Sequence, residues 1–242
     1  MNSKIKVSAV SYTNTLPFIR GIKKAQLEDL MELSVDYPSQ CAAKVISGEA
    51  DLGIIPVAGL LDIKTPHLIT DYCIGSDGTV NSVFLFSKVP VSEIKTLRLD
   101  YQSRTSNGLA RILLAYYWKQ EVELVSDDRE VDAYVLIGDR TFGKKNSENY
   151  VYDLGYYWKE LTGLPFAYAV WVSKKELDPE FVDRFNKALK QGVAECDEVI
   201  DSLEKREDFD FYDYFYKYLD FDLNDGKRKA IEKYLELLKT LP

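Results

Sequence analysis

The sequence predicts an α/β protein of two lobes, and three observations carry that prediction. Residues 5–55 read strand, helix, strand, helix, strand, and residues 97–137 repeat the same alternation. Two further segments resemble each other, SVFLFSKVPVSEI (82–94) and AYAVWVSKKELDPEF (167–181). Each runs from an apolar strand through Ser-Lys into an acidic helix start. Alternating strands and helices imply parallel pairing with right-handed crossovers, and ligands in such sheets lie beyond the carboxyl ends of the strands. Two similar strands, one leaving the first unit and one returning to it, are what a pair of lobes joined by paired crossovers needs. The lobes are expected at 1–87 plus 172–242 and at 88–171.

Residues 5–10 alternate as the first strand, and residues 15–24 read as the helix behind it. Leu33 to Tyr37 is the second strand; Pro38-Ser39 then opens a helix, with Ser39 as its N-cap and Gly48 as its C′ residue. Asp51 to Ile55 is the third strand, ended by Pro56. In the second unit, Leu97 to Asp100 is a strand, and Ser103-Arg104-Thr105-Ser106 caps a helix running to about Lys119. Glu123 to Val125 and Asp132 to Ile137 are strands, the latter ending in Gly138-Asp139. Asp178-Pro179 is a helix-start signal, and the chain beyond it reads as helical. The stretch REDFDFYDYFYKYLDFDLND (206–225) interleaves acids with aromatics. It is expected as an amphipathic helix covering a lobe, with a docking surface as the alternative.

A chain of 242 residues, 46% apolar and 29% charged, has the composition of a soluble globular protein with room for a sizeable core. The longest apolar run, Leu52 to Leu61, is broken by Gly53, Pro56 and Gly59. It is far shorter than the roughly 20 residues of a membrane-spanning helix. The first residues show no secretory pattern, so the cytoplasm is the expected compartment. A net charge of −8 offers no basic stripe and disfavours a nucleic-acid partner. It leaves room for a small anionic ligand, because helix N-termini and backbone N–H groups bind carboxylates whatever the sign of the whole molecule. Cys41, Cys73 and Cys196 are odd in number and widely spaced, and are expected as reduced, packed thiols. No feature of the sequence specifies an oligomeric state.

Catalysis narrows by elimination. His67, in a turn-like KTPHLIT segment, is the only histidine. Ser-His-Asp and Cys-His arrangements therefore have a single candidate base, and no metal-ligand spacing appears. Nucleotide-binding glycine motifs are absent as well, so neither a metal nor a cofactor is expected. What remains is chemistry through amides, hydroxyls, helix ends and carboxylates.

Four constellations have that character. Ser11-Tyr12-Thr13-Asn14 sits on the first strand–helix turn, readable as a helix cap or as a site where Asn14 orients and polarises a ligand. Ser103-Arg104-Thr105-Ser106 combines hydroxyls, exposed N–H groups and an arginine, readable as a cap or as a carboxylate site. Thr79-Val80-Asn81-Ser82-Val83 lies where the chain would cross between lobes. Gly138-Asp139 closes a strand, with Asp139 either capping a helix or holding the site together. A carboxylate at a helix N-terminus gains about 0.3–1 kcal/mol, and charge-assisted hydrogen bonds add about 1.5–3 kcal/mol each. Two carboxylates so held account for much of the ~8 kcal/mol of a micromolar complex. A small dicarboxylate is thus a reasonable guest.

At these residues the sequence resembles a known family. AVSYTNTLPF, DYPSQCAAKVISGEADLGIIPV, GTVNSVFLFSK, LDYQSRTSNGLARILL, VDAYVLIGDR and YDLGYYWKELTGLPFAYAVW are similar, in order, to signature segments of the menaquinone-biosynthesis family of the futalosine route. The resemblance covers about residues 5–173. It implies a type II periplasmic-binding-protein fold, two α/β lobes joined by two crossing strands, with the ligand cleft between them. The family has two branches, chorismate dehydratase and 1,4-dihydroxy-6-naphthoate synthase. The synthase branch carries Ile-His-Glu where this chain has Ile137-Gly138-Asp139, so the resemblance favours the dehydratase branch. Thr13 departs from the family, where leucine is common. The resemblance implies dehydration of chorismate to 3-[(1-carboxyvinyl)oxy]benzoate, with Asn14 and Ser82 as catalytic residues. The expected substrate-binding positions are Ser11, Tyr12, Ser39, Asn81, Arg104, Thr105, Ser106, Gly138 and Asp139. The base is either Asp139 or the substrate's own enolpyruvyl carboxylate. A non-enzymatic solute-binding protein for an aromatic carboxylate is the competing class, because fold alone does not fix function.

Overall fold

A computed structural model describes residues 4–241. Its strands, in chain order, are β1 (Ile5–Val10), β2 (Met31–Asp36), β3 (Leu52–Pro56), β4 (His67–Ser76), β5 (Val83–Ser87), β6 (Thr96–Arg98), β7 (Glu123–Val125), β8 (Ala133–Ile137), β9 (Tyr150–Asp153) and β10 (Phe166–Ser173). Its helices are α1 (Leu16–Lys24), α2 (Pro38–Ser47), α3 (Arg104–Ile112), α4 (Leu154–Thr162), α5 (Pro179–Ala194), α6 (Cys196–Ser202), α7 (Phe211–Asp213) and α8 (Asp225–Lys239).

The strands form two five-stranded sheets, β2-β1-β3-β10-β4 and β7-β6-β8-β5-β9. As the alternation of elements requires, β1 is parallel to β2 and β3, with Val7 opposite Leu33 and Leu52. Likewise β6 is parallel to β7 and β8. In each sheet the antiparallel member is the strand that follows the chain's passage from the other sheet. β10 pairs antiparallel with β3 and β4, and β5 with β8 and β9. The chain therefore changes sheet at 77–82 and 154–165, before each Ser-Lys exit. The expected changeovers at 87/88 and 171/172 are displaced by one strand each, because Ser-Lys marks where those strands end and not where the chain crosses.

Local chemistry accounts for most boundaries. Ser103 caps α3, its Oγ accepting the Ser106 N–H at 3.1 Å. The helix passes into a wider turn at Leu113–Trp118 and stops at Lys119, which adopts φ +57°. Asp178 caps α5 by accepting the N–H groups of Glu180 and Phe181. The cap of α2 differs from expectation. Tyr37 is the N-cap and Pro38 takes the first helical turn, where a missing N–H costs nothing, so Ser39 falls inside the helix and is exposed. The 206–225 stretch also differs, being helical only through α7 and a wider turn at Tyr214–Tyr218. Beyond it Leu219, Phe221 and Leu223 are buried while Asp222 is exposed, and Tyr72 pairs with Asp222 in an antiparallel bridge. That is a period of two, which suits an extended strand edge and not a helix.

The largest fully buried side chains include Trp158, Trp171, Tyr214, Tyr234 and Phe18. The three cysteines are free and buried. Burial pushes Cys41 and Cys196 up to about 11 and Cys73 to about 12, so they stay protonated thiols. Among the described residues no helix is long and apolar enough to cross a membrane.

Candidate functional site

A cavity lies where the two sheets meet. It is lined from the first sheet by the ends of β1 and β3, the turn after β1, and Ile74, Tyr168 and Ala169. From the second sheet come Ser82 and Val83 at the start of β5, Ser103 and Ser106 at the start of α3, and Ile137 and Gly138 at the end of β8. The cavity encloses about 60 Å³, reckoned by where the centre of a water molecule fits, enough for several waters. Its polar groups are the Asn14 amide and the hydroxyls of Tyr12, Thr15, Ser82, Ser103, Ser106 and Tyr168. No carboxylate, histidine or lysine belongs to this lining.

Asn14 and Ser82 both line the cavity, and a residue that sequence reasoning missed bonds to Ser82. The Tyr214 hydroxyl donates to Ser82 Oγ at 3.0 Å. The Asn14 side chain lies near enough to this phenol to favour its ionised form, an effect that burial outweighs. Asn14 Oδ1 in turn accepts from Thr15 Oγ1 at 3.1 Å. Burial drives the Tyr214 phenol well above its ordinary range, so it is a neutral donor.

The turn after β1 is held by the second sheet. The Thr13 N–H donates to both Asp139 carboxylate oxygens, at 3.1 Å each. Burial raises the Asp139 carboxyl above the usual range in spite of that hydrogen bond. The Tyr12 hydroxyl donates to Gln102 Oε1. Arg140 stands beside the same phenol and donates to Asp100 Oδ1 and Oδ2 at 2.8 and 2.6 Å. Burial pushes Tyr12 up to about 12, with Arg140 pulling the other way. Gly138 adopts φ +62°, and a β-carbon on it would meet the Tyr12 ring at 2.9 Å. The position that resemblance reserves for histidine in the sister branch is thus filled here by the Tyr12 ring.

Of the other expected site residues, Ser106, Gly138 and Tyr12 line the cavity, and Asp139 holds the turn from just outside it. Ser11 and Ser39 are exposed and outside the lining. Arg104 is exposed, pairs with Asp62 and is outside the lining. Thr105 is buried and bridges the sheets, its Oγ1 accepting the Ala58 N–H at 3.1 Å. Asn81, at φ +59°, borders a separate hollow with Thr141 and Lys145. His67 opens β4, seven residues before Ile74, roughly 20 Å along the strand from the cavity.

Asp153 was not foreseen either. Its half-buried carboxylate accepts the N–H groups of Val80 and Asn81 on the crossing segment, and of Gly155 and Tyr156 at the start of α4. The signal for it was an acid before Leu-Gly, an ordinary cap. Arg140 followed directly on the quoted Gly-Asp pair. Tyr214 had no local signal in a chain with 17 tyrosines. Among the described residues no group of three or more His, Cys, Asp or Glu is placed to hold a metal ion.

Known proteins with similar sequences and folds point the same way. The chain is 27% identical over 197 residues to a chorismate dehydratase of Thermus thermophilus, covering 70% of this chain and 72% of that protein. It is 25% identical over 242 residues to a chorismate dehydratase of Campylobacter jejuni, covering 96% of each. Among solved structures, protein AF1704 of Archaeoglobus fulgidus superposes with a TM-score of 0.74 at 17% identity, covering 99% of this chain and 98% of that one. The periplasmic aliphatic sulphonate binding protein SsuA of Escherichia coli superposes with a TM-score of 0.56 at 14% identity, covering 100% and 94%. The fold is therefore periplasmic-binding-protein-like, two α/β lobes with a cavity between their sheets. The sequence pattern of the family described as menaquinone biosynthesis matches residues 5–240, and the chain belongs to that family.

Proposed function

We propose that the protein is a chorismate dehydratase, a hydro-lyase that converts chorismate to 3-[(1-carboxyvinyl)oxy]benzoate and water. The observation that carries this reading is the convergence of Asn14, Ser82 and the N-terminus of α3 on one cavity whose lining holds no carboxylate, histidine or lysine. The two chorismate dehydratases to which the chain is similar support the substrate.

On this reading the ring carboxylate of chorismate sits at the start of α3, where Ser103 and Ser106 line the cavity and the helix N-terminus favours negative charge. The ring carbon bearing the enolpyruvyl ether loses its proton to the substrate's own enolpyruvyl carboxylate. The charge left behind delocalises into the ring carboxylate, where the helix N-terminus stabilises it as it grows. The neighbouring ring carbon then expels its hydroxyl, which takes up the proton and leaves as water, and the ring becomes aromatic. Asn14 fixes the enolpyruvyl arm over the reacting carbon, and Ser82 hydrogen-bonds to the departing hydroxyl.

A second reading has one observation in its favour, the shared fold with a periplasmic sulphonate binding protein. Incubation with chorismate while following ultraviolet absorbance separates the two. Loss of the diene spectrum with appearance of the aryl enol ether supports the dehydratase. Saturable binding with an unchanged spectrum makes the protein a solute binder. Turnover of cyclic dehypoxanthinyl futalosine in place of chorismate assigns it to the sister synthase.

A further inference from the structure

Tyr214 lies outside the cavity lining and hydrogen-bonds Ser82, one of the two residues assigned to the chemistry. It opens the wider turn after α7, a local departure from regular helix of the kind that re-aims a side chain. Its ring is fully buried, edge-on to Phe142 and Phe209 at centroid separations of 5.4 and 5.2 Å and tilted against neighbouring Phe215 at 5.6 Å. Its hydroxyl can therefore move little.

We propose that Tyr214 is a positioning residue that, by donating its hydroxyl proton to Ser82 Oγ, aims the Ser82 proton into the cavity. The inference rests on the dehydratase reading for its chemistry. The Tyr214 hydroxyl donates to Ser82 Oγ at 3.0 Å. Ser82 is 1% exposed, and with this bond accepted its own proton is free to point at a guest. Because the phenol is too deeply buried to ionise in any ordinary buffer, the pair keeps this sense across the working pH range. A serine so oriented donates to the departing hydroxyl or to a carboxylate oxygen. Without Tyr214 its proton has two acceptable directions, one of them away from the substrate.

The test is Tyr214→Phe, which keeps the ring and removes only the hydroxyl. With the wild-type chain turning over chorismate, kcat is expected to fall about ten- to a hundred-fold while KM changes less than about threefold. Ser82→Ala is expected to lower kcat at least as far, and Tyr214→Phe in the Ser82→Ala background to lower it no further. Multiplying losses in the double variant would overturn the proposed pairing of Tyr214 with Ser82, as would an unchanged kcat in Tyr214→Phe.

A second measurement needs no turnover. In protein labelled with 13C at tyrosine Cζ, the Tyr214 hydroxyl proton is expected as a slowly exchanging resonance. That resonance disappears in Tyr214→Phe and shifts in Ser82→Ala. A Tyr214 hydroxyl indifferent to Ser82→Ala overturns the proposal whether or not chorismate is the substrate. A wild-type protein that leaves chorismate unchanged, with this resonance behaving as stated, overturns the dehydratase reading and leaves the Tyr214–Ser82 pairing standing.

Discussion

Gly138→Ala probes the contact that shapes the cavity floor, and its cost can be worked from two separate causes. The first is backbone: Gly138 holds φ +62°, where a β-carbon costs about 1–2 kcal/mol. The second is contact: that carbon meets the Tyr12 ring at 2.9, 3.0 and 3.2 Å. Tyr12 cannot swing aside freely, since it is 8% exposed and its hydroxyl is held by Gln102. Forcing it to move costs about 1–3 kcal/mol, as overpacking does elsewhere. The expected total is about 2–5 kcal/mol. Gly163 supplies the control, with φ +71° and nothing within 4 Å of its β-carbon position, so Gly163→Ala carries the backbone cost alone. Urea midpoints with a common m value give both numbers. In a Tyr12→Ala background the Gly138→Ala cost is expected to drop to that of Gly163→Ala. If Gly138→Ala in the wild-type background costs the same as Gly163→Ala to within about 0.5 kcal/mol, the contact does not shape the site and the reasoning is wrong.

Three further perturbations test other parts of the structure. Asp153→Ala strips the acceptor from the Val80, Asn81, Gly155 and Tyr156 N–H groups and is expected to destabilise by about 3–5 kcal/mol in urea melts. A loss under about 1 kcal/mol would mean that water replaces it readily. At acid pH, Asp36 matters: burial works to raise its carboxyl, but hydrogen bonds from Lys44, Ser34 and Ser8 outweigh burial and hold it below 3.8. The folded state then binds fewer protons than the unfolded one below that pH, so this stability is present above 3.8 and lost as pH falls through the folded value. Lys44→Met is expected to shallow that acid limb, and an unchanged slope would refute the assignment. Asp139→Ala removes the acceptor of the Thr13 N–H and is expected to cut kcat about tenfold through misplacement of the turn. Normal chorismate binding with no turnover at all would instead make Asp139 the base.

Elements governed by neighbours in sequence were legible, and contacts between distant segments were not. Glu123–Val125 has the limits its pattern implies, and Ser103, Gly48 and Asp178 terminate their helices as expected, because caps are decided within four residues. Ser39 was misread for a local reason: Pro38 takes the first helical position and moves the cap to Tyr37. The stretch 219–223 was misread because alternating acids and apolar residues satisfy a helical aromatic stripe loosely and a strand edge well. Within the site, Asn14, Ser82, Ser106 and Gly138 could be placed because they follow or begin strands whose ends the topology gathers together. Arg104 is outside that lining and pairs with Asp62, 42 residues away, a partner that no local pattern marks. Tyr214 reaches Ser82 across 132 residues, a meeting that only the folded C-terminal segment brings about.

The wiring between the sheets bears on why a site without a base suits the proposed reaction. Thr13 to Asp139, Tyr12 to Gln102 and Ala58 to Thr105 each join one sheet to the other, so the cavity walls are held by bonds that cross it. A carboxylate or lysine placed inside would need desolvation costing several kcal/mol. A carboxylate there would also repel a guest that carries two of its own. Hydroxyls, one amide and a helix N-terminus avoid both costs and still favour negative charge growing on a ring carboxylate. They supply little proton affinity, and the proposed reaction asks for little: the substrate carries a carboxylate near its acidic carbon, and aromatisation drives the elimination. Under this reading the protein's contribution is geometry, supplied by Asn14 and Ser82 in the cavity lining and by Tyr214, which donates to Ser82.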